Sequence, residues 1–434
     1  MAFPTEVLAG LGLNRNAPAL MHVDLNSCFA SVEQQANPLL RGRPVAVAAY
    51  ASPGGCIVSP SVEAKRFGVK VGMTVREGRL LCPGLVVLPP DPPKYRAAHL
   101  SLRRIFRDYS PDVEPKSIDE AVIDFAGTPA LKRGLVEVAR EIKGRVKEDV
   151  GCWMRCSVGI GTNRFLAKLA AGLQKPNGLV TLDHANLEAA YAKLSLTDLP
   201  GINVRFEARL NAAGIHTPPE FLAASPATLR QRVFRSIAGQ QWSLRLRGWE
   251  ADAVVFARRT YGQNYSIGGG CGDPHELSAL LMKMAEKAGR RMRRDGWACR
   301  GVHVACVFAD GTHWHVGRVR DEPLYATQDV HRRAMLLFNR RPGKRVAKLS
   351  VTCYELVKTH REQLALFETR ADTMARLADA ADAVNDRYGE FLLTPALMLG
   401  LEEKVIDRVS FGGVRELEDA CGGEPEPPDP RRDY

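Results

Sequence analysis

The chain has 434 residues, too many for one compact domain, so two to four domains are expected. Apolar residues make up 45% of it, and no apolar run approaches the ~20 residues of a membrane-spanning helix, so the reading is of globular domains with no membrane partner. The net charge of +11 is uneven: 32 Lys+Arg face 23 Asp+Glu over residues 1–257, 20 face 10 over 258–362, and 8 face 16 over 363–434, a basic body with an acidic tail that points to a polyanion, most often nucleic acid.

The N-terminal stretch has no basic region followed by an apolar core and reads as no signal peptide. "ALMHVDLNSCFASVEQQ" starts as an apolar strand and turns helical after Asp24. "RPVAVAAYASPGGCIVSPSVEAKRFGV" reads as strand, glycine turn, strand and short helix. Residues 95–109 form an amphipathic helix, "VEPKSIDEAVIDFAG" two short strands around a tight turn, and residues 131–148 a charged amphipathic helix. "RCSVGIGTNRFLAKLAAGLQKPNG" is a buried strand, a polar turn, and a helix ended by Pro176 and Gly178. "LTDLPGINVRFEARLNAAGIHT" places a Pro-Gly turn before a helix. Residues 276–295 are a basic helix, with "GRRMRR" as its densest cluster. "VHVACVFADGTHWHVGRV" is a hairpin turning at Asp310-Gly311, and "RVAKLSVTCYELV" is another strand. His313 and His315 share one strand face and are a possible metal pair, weighed against a DNA-facing or solvated pair. "MARLADAADAVNDRYG" is a helix, and the Pro-rich acidic end reads as disordered. Ten irregularly spaced cysteines, Cys152 and Cys156 among them, read as reduced thiols of a cytosolic protein.

"KSIDEAVIDF" carries the chemistry. Asp119 and Glu120 lie side by side in a strand-like run, where neither ionises easily beside the other. A divalent cation removes the conflict, and Mg2+ takes oxygen ligands while keeping places for substrate phosphates. Neighbours on a regular strand face opposite sides, so both reach one metal only near a turn or a twisted strand end. Asp24, a charge ending an apolar strand, is the candidate third ligand. Against this stands the plainer reading of a strand end salt-bridged to Lys or Arg.

"VDLNSCFASVE", "VEAKRFGVKVGM", "SIDEAVIDF", "VGIGTNRFLAKLAAGLQKPNG" and "LPGINVRFEARLNAAGI" occur in the order found in Y-family translesion DNA polymerases. The chain resembles the bacterial polymerase IV and V branches from about residue 20 to about residue 395. The resemblance implies an α+β multidomain, right-hand polymerase. Its parts are a ferredoxin-like palm (1–27 and 95–175), small fingers (28–94), a helical thumb with a helix-hairpin-helix (176–250), a linker (251–257) and an α/β little finger (258–362). Residues 363–434 then hold a clamp-binding motif, a helix and the acidic tail.

The resemblance also implies roles. Asp119 and Glu120 are catalytic. With Asp24 and the Leu25 carbonyl they bind two Mg2+ ions. Phe29 is the steric gate against a ribose 2′-hydroxyl, and Ser59, Lys65 and Lys168 contact the deoxynucleoside triphosphate. Val62 and Lys65 stand where the polymerase IV pattern has Tyr and Arg, and Lys lacks the bidentate fork. Asn26 replaces a second Asp that is not a ligand, so little loss is expected. Gly201 and Asn203 belong to the thumb turn that grips a DNA phosphate, with Asn203 expected at positive φ in place of a Gly. Arg290, Arg291, Arg293 and Arg294 are expected on duplex phosphates. "QLALF" resembles the bacterial sliding-clamp motif through Gln363, Leu364, Leu366 and Phe367. The implied partners are primer-template DNA, deoxynucleoside triphosphates, the clamp and accessory mutagenesis proteins, for a monomeric cytoplasmic enzyme. Two rival functions are a catalytically inactive polymerase-like scaffold and a nucleotidyl cyclase. The first would have lost carboxylates that this chain keeps; the second would not need "LPGI", the basic segment or "QLALF".

Overall fold

The strand expected around Asp24 forms as β1 (Leu20–Leu25) in a computed structural model that describes residues 11–253, 259–359 and 369–406. These residues divide into two units, one within Met1–Val254 and one within Val255–Asp407. In chain order the first unit continues with α1 (Cys28–Ala36), β2 (Val45–Ala48), β3 (Ile57–Pro60), α2 (Val62–Arg66), α3 (Val75–Leu81) and β4 (Val86–Leu88). Then come α4 (Pro92–Arg107), β5 (Val113–Pro115), β6 (Glu120–Asp124), α5 (Pro129–Arg133), α6 (Leu135–Arg145), β7 (Cys156–Gly161), α7 (Arg164–Leu173) and β8 (Leu179–Leu182).

Five of the strands form one sheet in the order β5-β6-β1-β7-β8. β1 is central and antiparallel to both β6 and β7, while β8 joins β7 in parallel. The sheet therefore runs on to Leu182, past residue 175, where the sequence reading ended the palm. Side-chain alternation divides β1 between two faces. Met21, Val23 and Leu25 bury against Leu102 and Ile105 of α4 and Val138 and Ile142 of α6. Leu20 packs instead with Val122 and Ala167, under α7.

α7 can lie on the sheet only because β7 reads Val-Gly-Ile-Gly. A Cβ on Gly159 would sit 2.1 Å from the Ala167 carbonyl oxygen, and one on Gly161 would sit 2.6 Å from the Ala167 nitrogen. The single helix expected over 131–148 is two, because Gly134 (φ 92°) separates α5 from α6. A smaller sheet, β3-β2-β4, closes over Ala46, Ile57, Val69 and Leu85. Four further helices, α8 (Leu187–Tyr191), α9 (Val204–Asn211), α10 (Pro218–Ala223) and α11 (Ala238–Leu246), gather around Phe221, Phe234 and Trp242.

The second unit comprises β9 (Thr260–Cys271), α12 (Pro274–Arg294), β10 (Trp297–Phe308), β11 (His313–Leu324), α13 (Thr327–Phe338), β12 (Val346–Lys358) and α14 (Arg370–Tyr388). Its sheet is antiparallel throughout, in the order β11-β10-β12-β9. Val302, Val304, Val351 and Cys353 face a core shared with α12 and α13. The opposite face, with Ala305, Ser350 and Thr352, stays half-buried and polar. His315 on β11 meets His303 on β10 at 3.3 Å, so its near partner is across the sheet rather than His313.

α14 corrects one expectation about DNA contact. Its Asp382 takes the Arg293 guanidinium in a two-point contact (2.6 and 3.0 Å), and Asp386 takes Arg290 at 2.7 Å. The Arg293 side chain is only 3% exposed. Beyond the helix, the carbonyl oxygens of Leu401 and Val405 accept from Lys283 and Lys287. Arg291 donates to the Gly262 carbonyl at 2.7 Å. Arg290, Arg291 and Arg293 are thus engaged within the unit, Arg290 and Arg293 by acids and Arg291 by backbone carbonyls and Gln263. Arg294, 41% exposed and 3.7 Å from Asp295, keeps the most contact with solvent of the four.

Asp382→Ala should therefore lower the unfolding free energy by about 2 kcal/mol in a denaturant titration, because it removes the two-point partner of a buried cation and leaves it the looser pairing with Glu286 at 3.8 Å. The double replacement Arg293→Met with Asp382→Leu should cost much less.

Candidate active site

Asp24 and Glu120 are directly opposed in the β1–β6 register. The Leu25 amide donates to the Asp119 carbonyl oxygen at 2.9 Å, which ties the two strand ends together. β6 begins at Glu120, so Asp119 belongs to the preceding turn, closed by Lys116 and Ser117 amides donating to the Glu120 carbonyl oxygen. That break in the alternation takes Asp119 off the strand while leaving it within the influence of the Asp24 and Glu120 charges.

Ligand atoms of His22, Asp24 and Glu120 lie within 4.8 Å of one another. The Asp119 carboxylate accepts from the Ser117 hydroxyl. Burial pushes Asp119 up from the usual carboxylate range, and the charges of Asp24 and Glu120 add to the rise against the Ser117 bond. Burial also acts to raise Glu120, but hydrogen bonds from His22 and Lys168 outweigh it and hold that carboxyl at about 2. The buried Cys28 thiol is pushed up by desolvation and then by Asp119 and Asp24, which leaves it protonated and inert.

Two lysines supply the opposing charge. Lys168 of α7 donates to both Glu120 oxygens, at 3.0 and 2.9 Å. Lys175, just past the end of α7, donates to Asp24 at 2.6 Å. Lys65 is lowered from the usual lysine range by desolvation and then by Lys175, with Asp24 opposing, so it shares the cluster. Three lysines beside three carboxylates suit a ligand that carries both phosphates and cations.

Lys175 is held through Asn26. The buried Asn26 amide donates to Ser157 at 2.9 Å and accepts from the Asn177 amide at 2.6 Å. The expectation of little consequence at Asn26 misses this: its side chain moors the loop that carries Lys175.

The remaining expected contacts lie as follows. Phe29, 2% exposed, stacks on Tyr95 at a centroid distance of 4.4 Å. Ser59 is buried, and its hydroxyl accepts from the Ala30 amide at 3.4 Å. Gly201 takes φ 95°, as a tight turn requires. Asn203 does not take positive φ; it has φ −103° and caps α9, accepting from the Arg205 and Phe206 amides. It satisfies helix-end donors that a Gly would leave open. The clamp-motif residues Gln363, Leu364, Leu366 and Phe367 lie outside the described residues.

Sequence reasoning passed over His22 and Lys175. His22 was the one polar residue before Asp24 in an apolar strand, and Lys175 stood in a helix-ending "QKPNG". The donor set suits Mg2+: hard carboxylate oxygens of Asp24 and Glu120 come together in a partly exposed place, with the Asp119 carboxylate near enough to feel both charges.

A family model described as the impB/mucB/samB family matches residues 23–172, and one for that family's C-terminal domain matches residues 255–366. The chain is 35% identical over 387 residues to DNA polymerase IV of Pelotomaculum thermopropionicum, covering 88% of this chain and 95% of that one. It is 37% identical over 391 residues to DNA polymerase IV of Moorella thermoacetica, covering 88% and 96%. Among solved structures, a Y-family DNA polymerase chimera of Dbh and Dpo4 aligns with TM-score 0.68 at 22% identity, over 78% of this chain and 99% of the chimera. An insertion ternary complex of Dbh DNA polymerase aligns with TM-score 0.54 at 22% identity, over the same shares of the two chains. These two alignments establish the fold. Among the described residues no helix is long and apolar enough to cross a membrane.

Asn26→Ala removes the mooring of the Lys175 loop. It should cost about 2 kcal/mol in urea unfolding, through the buried partners left unsatisfied. Hydrogen exchange at the Asn177 and Gly178 amides should quicken.

Proposed function

We propose, from the premise that this chain belongs to the impB/mucB/samB family and is a Y-family translesion DNA polymerase, that it extends a primer 3′-hydroxyl by two-metal phosphoryl transfer with low fidelity. The observation that carries the reading is the Asp24–Glu120 opposition with Asp119 beside it and Lys168 and Lys175 in contact. Asp24, Asp119, Glu120 and the Leu25 carbonyl would hold two Mg2+ ions. When bound, these lower the pKa of the attacking hydroxyl and neutralise charge on the leaving pyrophosphate.

The chain's own residues bind and orient. Lys65 and Lys175 meet the triphosphate as point charges, and Lys168 holds Glu120 ionised until a cation replaces it. The Phe29 ring, backed by Tyr95, would exclude a ribose 2′-hydroxyl. A fingers segment of short helices and strands around Ala46 and Val69 supports loose checking of the nascent pair. In the thumb, Gly201 shapes a turn toward a DNA phosphate, with Asn203 yielding the Arg205 and Phe206 amides when one binds. In the second unit, duplex contact falls to Arg294 and to the polar sheet face with Ser350, Thr352 and Lys348. Clamp binding through Gln363, Leu364, Leu366 and Phe367 rests on the sequence, as do accessory mutagenesis proteins.

Primer extension with Mg2+ on plain and abasic templates tests the reading. Asp119→Ala or Glu120→Ala should abolish nucleotide addition while primer-template affinity stays within about threefold. Near wild-type extension by either variant would sink the metal assignment. Phe29→Ala should admit ribonucleotides in single insertions, and an unchanged sugar preference would return Phe29 to core packing. Replacing Gln363, Leu366 and Phe367 with Ala should abolish stimulation by loaded clamp and leave synthesis on short primers unchanged. Truncating one interface anchor commonly costs ~2 kcal/mol, roughly thirtyfold in affinity.

A further inference from the structure

His22 is an unexpected side chain for its position. It is 1% exposed, on the central strand of the sheet, and its Nδ1 is buried with no hydrogen-bond partner among the described residues. Two residues before Asp24, it shares the strand face of Leu20, which packs with Val122 and Ala167. A leucine or methionine would fill such a place without stranding a polar atom. The imidazole makes one polar contact among the described residues: Nε2 lies 3.2 Å from Glu120 Oε2. An ionised carboxylate only accepts, so Nε2 carries the proton and donates.

Lys168 offers a contrast. It donates to the same carboxylate, but its side chain is 45% exposed on a long flexible stem, whereas the histidine is enclosed. A cation arriving at Glu120 can displace the lysine into solvent. It cannot displace the imidazole, which has nowhere to go.

We propose that His22 is a positioning residue of the polymerase reaction, holding the Glu120 carboxylate through Oε2 in the orientation in which it would meet a metal. The inference rests on the metal-site reading above and extends it to a residue outside the ligand set. His22 acts through Glu120. It sets how well the carboxylate is aimed before the metal arrives, and so governs metal affinity more than the chemical step. Removing an outer partner of a metal ligand commonly weakens metal binding 10–100-fold.

The test uses the full chain without DNA, with Mn2+ as the probe and its free fraction read by electron paramagnetic resonance. His22→Leu should melt at or above the wild-type temperature and bind Mn2+ about tenfold more weakly. Half-maximal primer extension should then need correspondingly more metal, with kcat at saturating metal within about twofold of wild type. His22→Gln, which keeps a donor, should recover part of the affinity. If His22→Leu does not fold, His22→Met, also without a donor, is compared with His22→Gln in the same way. Wild-type Mn2+ affinity and metal dependence in the donor-free variant would overturn the proposal, and so would equal losses in the Gln and donor-free variants. Glu120→Ala serves as the control. If it binds Mn2+ like wild type, the metal-site reading itself fails; if it loses Mn2+ while the donor-free variant does not, only the role of His22 fails.

Discussion

Asp24 and Glu120 face each other at the end of a buried sheet, with Asp119 in the adjoining turn, and much of the first unit follows from bringing cations to them. Two like charges 4 Å apart repel by about 4 kcal/mol at an effective dielectric of 20. The chain offsets this with Lys168 and Lys175, both carried by α7 and the loop after it. α7 reaches the site only because Gly159 and Gly161 let its backbone touch β7. Two glycines without functional groups are therefore as necessary to the site as the acids. A methyl group on either would lift the helix and withdraw both cations.

The acids were legible because charge in an apolar strand has no packing use. Asp24, Asp119 and Glu120 each interrupt a run of Val, Ile and Leu, and the need for a turn between the last two could be argued before β6 was seen to begin at Glu120. His22 left no such signal, since a lone histidine in a strand is as easily a core residue. Lys175 was hidden by its neighbours, Pro176 and Gly178, which read as a helix stop. Asn203 was read for the backbone freedom of asparagine and is used instead for its side-chain oxygen. β9, "TYGQNYSIGGGC", escaped notice because its glycines and polar residues suggest a loop; pairing with β12 makes it a strand.

The basic helix α12 was misread for a different reason. Four arginines in six residues look like a phosphate grip, and local sequence cannot reveal that acids far along the chain fold back onto them. Asp382 and Asp386 appear in the sequence only as part of an acidic tail. Net charge by segment therefore counts basic residues available to DNA together with those consumed inside the fold.

That pairing also sets an order of events during synthesis. Arg293 precedes Asp382 by 89 residues. At ~5–20 residues per second, the arginine is added to the chain roughly 4–18 s before Asp382. Until then Arg293 has the looser pairing with Glu286 of its own helix, at 3.8 Å, and its two-point contact forms late. A message truncated ahead of α14 would yield a polypeptide that keeps Asp24, Asp119 and Glu120 but lacks the two-point partner of Arg293.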